Sequence, residues 1–227
     1  MIVPSTRQQT HRRPRERRAE ARPRELLSAA LEVFSVCGFA GARLEDVAAR
    51  AGVSKGTVYL YYKNKEELFK AVVRESCGAP LAGARELIAA SNASSAELLE
   101  HLFRFWRALS KNSPVSFLPK LVISEAGNFP ELRQIFASEI DAPRQAMLEA
   151  VLRRGIERGD LAALPVAETA RYLTAPMLLL ALFENPHGGL CPPGFDGDAY
   201  FENSLQLMLA GLHAARPARA AEARSAA

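Results

Sequence analysis

Cysteine is scarce in this chain, and the little there is does not pair by spacing. Cys37, Cys77 and Cys191 are odd in number, far apart and form no CxxC. That argues against a disulfide framework and against a Cys-based zinc site, and it makes a reducing cytoplasm the expected setting. His101, His187 and Cys191 fit no metal-ligand spacing, so no metal and no cofactor is expected. Long apolar runs are missing: none approaches the ~18–20 residues that a membrane span needs, so no membrane partner is expected. The Arg-rich N-terminus has no apolar h-region of a secretory signal. No segment alternates apolar and polar residues as a strand does, and no internal repeat is visible. Catalytic signatures are missing as well. There is no paired acid/base constellation, no nucleotide-binding Gly-rich loop and no nucleophile motif, and Gly188–Gly189 falls in a loop-like stretch. A helical enzyme would need a polar cleft holding a strongly perturbed titrating group, so an enzyme is the rejected alternative.

What is present is helical pattern and an uneven charge. The 227 residues are 48% hydrophobic, enough to bury a real core in one or two domains. Residues 1–76 carry 15 Lys and Arg against 9 Asp and Glu, whereas residues 77–227 carry 14 against 16. Residues 1–22 are basic and nearly free of apolar side chains after Val3. They read as a disordered arm, either loosely near a polyanion or simply solvated. A first helix is expected from Pro23 to a stop at Gly38, with Leu27, Ala30, Leu31 and Phe34 at helical spacing. A second spans Leu44–Ala51; a third, capped by Ser54, runs to Tyr61. Asn64 with Glu67 opens a fourth, which Gly78 and Pro80 are expected to kink or break. Further helices are read at Ala96–Leu109, Pro114–Ser124, Pro130–Arg158 (with a bend at Pro143), Val166–Phe183 and Asp198–His213. The fold class is all-α. The expected division is an arm at 1–22, a small N-terminal domain at 23–69, a larger helical domain at 70–213 and a disordered tail at 214–227.

The second and third helices form the most specific pattern in the chain. Val47 and Ala48 face inward on the first of the pair, and Ala48 is small where two helices cross closely. Gly52 sits in the turn, where a left-handed backbone is cheap only for glycine. Val53, Val58 and Tyr61 close the small core. The outward positions Lys55, Gly56, Thr57, Tyr59 and Tyr62 include no acid, and Lys63 and Lys65 follow. This is a helix-turn-helix arrangement that lays its second helix in a major groove. Gly56 permits close approach, Thr57 reaches a base edge or phosphate, the tyrosines reach phosphate, sugar or thymine methyl, and Lys65 pairs with phosphate beside exposed N–H groups.

Gly38–Phe69, GFAGARLEDVAARAGVSKGTVYLYYKNKEELF, resembles the N-terminal domain of TetR/AcrR-type transcriptional regulators, and the likeness begins near Arg24. It implies DNA contacts at Lys55, Gly56, Thr57, Tyr59, Tyr62 and Lys65. One departure stands out: many members carry Thr just before the second helix, where this chain has Ala42 and Arg43. The missing cap costs on the order of 1 kcal/mol if nothing replaces it, and Arg43 is expected to supply phosphate contact by charge instead.

VISEAGNFPEL (Val122–Leu132) and RRGIERGDL (Arg153–Leu161) look like segments of the family's regulatory domain. The resemblance implies a homodimer through Val166–Phe183 and Asp198–His213. Val166–Phe183 is apolar nearly all round, which calls either for a second subunit or for a central core position. It also implies a pocket for a small hydrophobic ligand, with Phe103, Trp106, Phe117, Leu121, Phe136, Met147 and Met177 as lining candidates or else ordinary core. The expected function is therefore a dimeric repressor on a palindromic double-stranded operator, released by a small-molecule effector. The alternative is a regulator without effector, controlled by abundance or a protein partner.

Overall fold

The computed structural model of the chain describes residues 14–112, 114–184 and 191–214, and among these it is helical with no strand. The helices are α1 (Pro14–Gly41), α2 (Leu44–Arg50), α3 (Lys55–Tyr61), α4 (Lys65–Ala90), α5 (Ser95–Asn112), α6 (Leu118–Glu125), α7 (Pro130–Phe136), α8 (Ala142–Arg158), α9 (Val166–Phe183) and α10 (Gly197–Ala214). The all-α expectation holds. Of the expected arm, residues 1–13 lie outside the described residues, as do 215–227 of the expected tail. Residues 14–22 are not coil: α1 already runs through them from Pro14. RERRAEAR is built of good helix formers, so a scarcity of apolar residues there did not exclude a helix.

Two cores organise the chain. The first joins α1 to α4 and reaches on to α6, α7 and the turn after α7, with Leu26, Phe34, Phe39, Val58, Leu68 and Leu132 almost completely buried. Its centre is aromatic. Phe34 meets Phe69 edge-on at 5.2 Å and Phe39 meets Phe69 at 5.5 Å, while Phe129 closes on Phe39 at 5.1 Å. The second core packs α5, α8, α9 and α10, with Leu98, Leu99, Leu102, Phe103, Leu148 and Leu152 inside.

Three proline or glycine expectations met three outcomes. Gly38 does interrupt α1: its φ of 69° and ψ of −176° are not helical. Pro80 does not break α4, which runs 26 residues through it. Val72 and Val73 are buried on one side of the proline and Ala84 on the other, each in a different core. That anchoring offsets the roughly 3 kcal/mol an internal proline costs. Near Pro143 the helical path holds a π-helical turn, Ala137–Asp141, which ends two residues ahead of the proline. A widened turn is a usual way to absorb such a defect.

α9 differs most from a core helix. Only Ala170, Leu173 and Leu180 are buried. Tyr172 is 70% exposed, and Leu178 and Leu179 are about 40% exposed. With 18 residues and a mean hydropathy of 1.3, α9 is long and apolar enough by composition to cross a membrane, contrary to the expectation that no run approaches that length. It carries Glu168 and Arg171 and packs against α8 and α10.

Candidate nucleic-acid interface and sensor cavity

The local sequence sets the pose of α3. Ser54 is its N-cap, accepting a hydrogen bond from the Thr57 N–H at 3.2 Å. Gly52 takes φ 64° in the turn, and the Val53 N–H bonds back to the Ala48 carbonyl at 3.0 Å. Val47, Ala48 and Val58 are buried between the two helices. Everything on the opposite side of α3 faces outward. Lys55, Gly56 and Tyr59 are exposed, as is Leu60, which is 84% exposed and which its spacing alone did not mark. A Cβ on Gly56 would meet nothing nearer than the Ser54 Oγ at 3.8 Å, so no neighbour in the chain requires glycine there.

The expected contact residues divide into two groups. Arg43 is exposed at the N-cap of α2 and makes no side-chain cap, so the missing threonine cap is not replaced. Lys55 is exposed but ion-paired with Glu45 of α2. The hydrogen bond to Glu45 raises the lysine pKa and lowers that of the carboxylate. Both side chains are about half exposed, and such pairs are weak and exchangeable. The Thr57 hydroxyl lies 2.9 Å from the Ser54 hydroxyl. Tyr59 lies under the Lys55 ammonium, 5.7 Å from nitrogen to ring centre.

Tyr62 and Lys65 are placed differently from expectation. Tyr62 is the C-cap, with extended φ −136° and ψ 119°, and it packs partly buried on the first core. Burial pushes its hydroxyl above the usual tyrosine range. Tyr61, expected inside, is 40% exposed. Helix α3 ends at Tyr61, so helical spacing no longer governs which ring turns inward. The Lys65 ammonium donates to the carbonyls of Phe39 (2.6 Å) and Ala40 (3.3 Å) at the end of α1, over the Phe39 ring. Its ammonium is engaged with these carbonyls within the chain.

The same α1 terminus is held from the other side by a residue of the Val122–Leu132 segment that the sequence reading did not single out. The Glu125 carboxylate, at the end of α6, accepts the Phe39 N–H at 3.1 Å and the Ala40 N–H at 2.6 Å. These amides are freed because Gly38 leaves the helical path. A Cβ on Gly38 would collide with that carboxylate. The partners are 85 and 86 residues apart, so no local pattern announces them.

The other end of α6 borders a cavity of about 870 Å³, between α4, α5, α6, the π turn, α8 and α9. Its size lies within the usual range for ligand sites. Three of the seven lining candidates, Trp106, Phe136 and Met177, are on its wall. Phe103, Phe117, Leu121 and Met147 are not; each is at most 5% exposed and packs in the cores. Aromatic and sulfur side chains at helical spacing serve cores as readily as pockets, which is why spacing did not separate them. Cys77 is on the wall, and burial raises its thiol to about 11, so it is not a nucleophilic thiolate. Cys191 also lines it, His101 lines a separate recess of about 290 Å³, and His187 lies outside the described residues. Among the described residues no three of His, Cys, Asp and Glu gather as metal ligands would.

Comparison with known proteins agrees with this architecture. Residues 26–72 match the family described as "Bacterial regulatory proteins, tetR family", and residues 93–188 match "Tetracyclin repressor-like, C-terminal domain". The HTH-type transcriptional regulator RutR of Escherichia coli K12 is 45% identical over 75 residues, 32% of this chain and 35% of RutR. The chain thus spans about a third of RutR's length. The fatty acid metabolism regulator protein of Bacillus subtilis 168 is 26% identical over 137 residues, 60% of this chain and 69% of that protein. The crystal structure of FadR from Bacillus subtilis in complex with stearoyl-CoA superposes with a TM-score of 0.69 at 21% identity, covering 84% of this chain and 99% of that one. With both family descriptions matched in order along one chain, an exposed reading helix ahead of a helical second domain is the family's architecture, and the chain belongs to the TetR family of bacterial regulatory proteins, which are transcriptional regulators and not enzymes.

Proposed function

We propose that this protein is a homodimeric repressor, acting in the cytoplasm, that binds a palindromic operator and releases it when a small molecule with an apolar body fills the cavity. The observation that carries the reading is the outward face of α3: exposed, free of acid, and set by a capped N-terminus and a Gly turn. Residues 23–69 act as the DNA-binding domain and residues 70–213 as the regulatory and pairing domain. Arg43, Lys55, Gly56, Thr57 and Tyr59 touch the duplex. Lys55 exchanges Glu45 for phosphate, while Tyr62 and Lys65 position the head through the contacts described above. Pairing uses α9 and α10. The exposed Tyr172, Leu178, Leu179 and Leu207 support this, since a single chain leaves that apolar surface in water. Two heads then read two half-sites.

Effector response follows α6. Leu118 and Pro119 border the cavity at one end, and Glu125 holds the end of α1 at the other. A ligand that prefers a shifted α6 re-aims the head, and only such a difference in affinity between states moves the equilibrium. The reading of a regulator without effector fits less well, because a filled second domain would suit it and a cavity of about 870 Å³ does not.

Leu179→Arg places charge on the pairing face without touching α3. Sedimentation should show wild type as a dimer and Leu179→Arg as a monomer, with operator affinity falling at least about a hundredfold. A monomeric wild type that still binds one palindrome with full affinity overturns the proposal.

A further inference from the structure

The cavity wall carries a charge pattern that an apolar effector alone does not explain. Arg107, Lys111, Arg144 and Arg171 line it against only two carboxylates, Asp141 and Glu184. Two of the cations are engaged. The Arg107 guanidinium binds Glu184 and Asp198, and Lys111 binds Asp198. Arg144 is not: among the described residues its guanidinium has no hydrogen-bond or ion-pair partner. It lies over the Trp106 ring at 4.9 Å. Its Nε is fully buried and unpartnered. Burial pushes its pKa down, with Asp141 and Cys77 acting the other way. The buried side-chain polar atoms without a partner among the described residues are Trp106 Nε1 and the Nε atoms of Arg107, Arg144 and Arg154. Three of these four atoms belong to residues that line the cavity, and every one is a donor. A guanidinium without a partner on a cavity wall is suited by an anion.

We propose that the cavity binds a single-headed anionic amphiphile, its carboxylate or phosphate on the Arg144 guanidinium above Trp106 and its apolar tail along Met177, Phe136 and Leu118. This rests on the effector reading above and narrows it from any hydrophobic molecule to an acid. Trp106 lies under the Arg144 guanidinium, and the guanidinium fork holds the head.

Titration calorimetry on the full-length protein at neutral pH tests this with dodecanoate, dodecyl phosphate and dodecan-1-ol, which share a tail and differ in head. The wild type should bind one or both anions at least about tenfold more tightly than the alcohol, the margin expected of charge-assisted hydrogen bonds. The tighter of the two anions names the head. Arg144→Gln should abolish that margin and leave alcohol affinity unchanged; Arg144→Lys should keep part of it, since charge survives without the fork. Equal or tighter binding of the alcohol overturns the anion site while leaving an effector cavity intact. A margin that persists in Arg144→Gln also overturns it. No binding of any of the three overturns it and removes the support for an effector, a result distinguishable from the second outcome and separate from DNA binding.

Discussion

At the scale of single residues, the cations near α3 do different work although sequence makes them look alike. Arg43 is exposed and makes no cap, whereas Lys65 is bound to two carbonyls of α1. Arg43→Ala should leave the melting temperature within about a degree, lower operator affinity, and shallow the salt dependence by about 0.9 for each phosphate no longer neutralised. Lys65→Met should do the reverse: removing two charge-assisted bonds costs about 1–2 kcal/mol of stability, and the salt slope stays put. Calorimetric melting and binding isotherms between 50 and 200 mM salt (roughly the range where such slopes are measured) separate the two. A salt slope that falls in Lys65→Met and not in Arg43→Ala contradicts both assignments. The sequence revealed the residue types of this face but not their commitments. Val58 to Tyr61 is one helical repeat, which favours Tyr61 inside, yet the chain turns extended at Tyr62 and packs that ring, partly buried, on the core instead. Arg144 escaped notice because a charge within a helical pattern reads as solvated surface, and only the fold places it beside Trp106.

At the scale of elements, helix type and order were legible, and interruptions were less so. Caps and turns are short-range: Ser54, Asn64, Gly38 and Gly52 each act on neighbours within a few residues, so they are visible in sequence. That α4 runs on through Pro80 was not legible, because the cost of the proline is local while its compensation comes from two cores far apart in sequence. Glu125 is the extreme case, since its partners lie 85 and 86 residues away. α6 connects cavity and reading head, and in the proposed response Glu125 is its grip. Glu125→Gln retains an acceptor oxygen but loses the charge that strengthens both bonds, a weakening of about 1 kcal/mol. Effector affinity without DNA should be unchanged, and the effector-induced drop in operator affinity should shrink severalfold. An undiminished drop, measured by fluorescence anisotropy with and without ligand, removes α6 as the transmission route.

At the scale of the whole molecule, the chain leaves an apolar helix face uncovered. α9 buries three residues and leaves Tyr172, Leu178 and Leu179 in water. Its all-round apolar character was plain in the sequence, but whether a core or a second copy covers it was not, because periodicity records which faces are apolar and not what meets them. The basic excess falls in the same part of the sequence as the head, residues 1–76, and a basic excess of this kind adds affinity for DNA without sequence preference. In the proposed dimer, specificity comes from α3, doubled by symmetry. Selection of random duplexes by the full-length protein, alongside a Lys55→Ala/Tyr59→Ala variant, tests this most directly. Wild type should enrich an inverted repeat bound by two chains, and the variant, melting within a few degrees of wild type, should enrich nothing. An asymmetric site held by one chain, or the same repeat enriched equally by the variant, would contradict the assignment of sequence reading to a doubled α3.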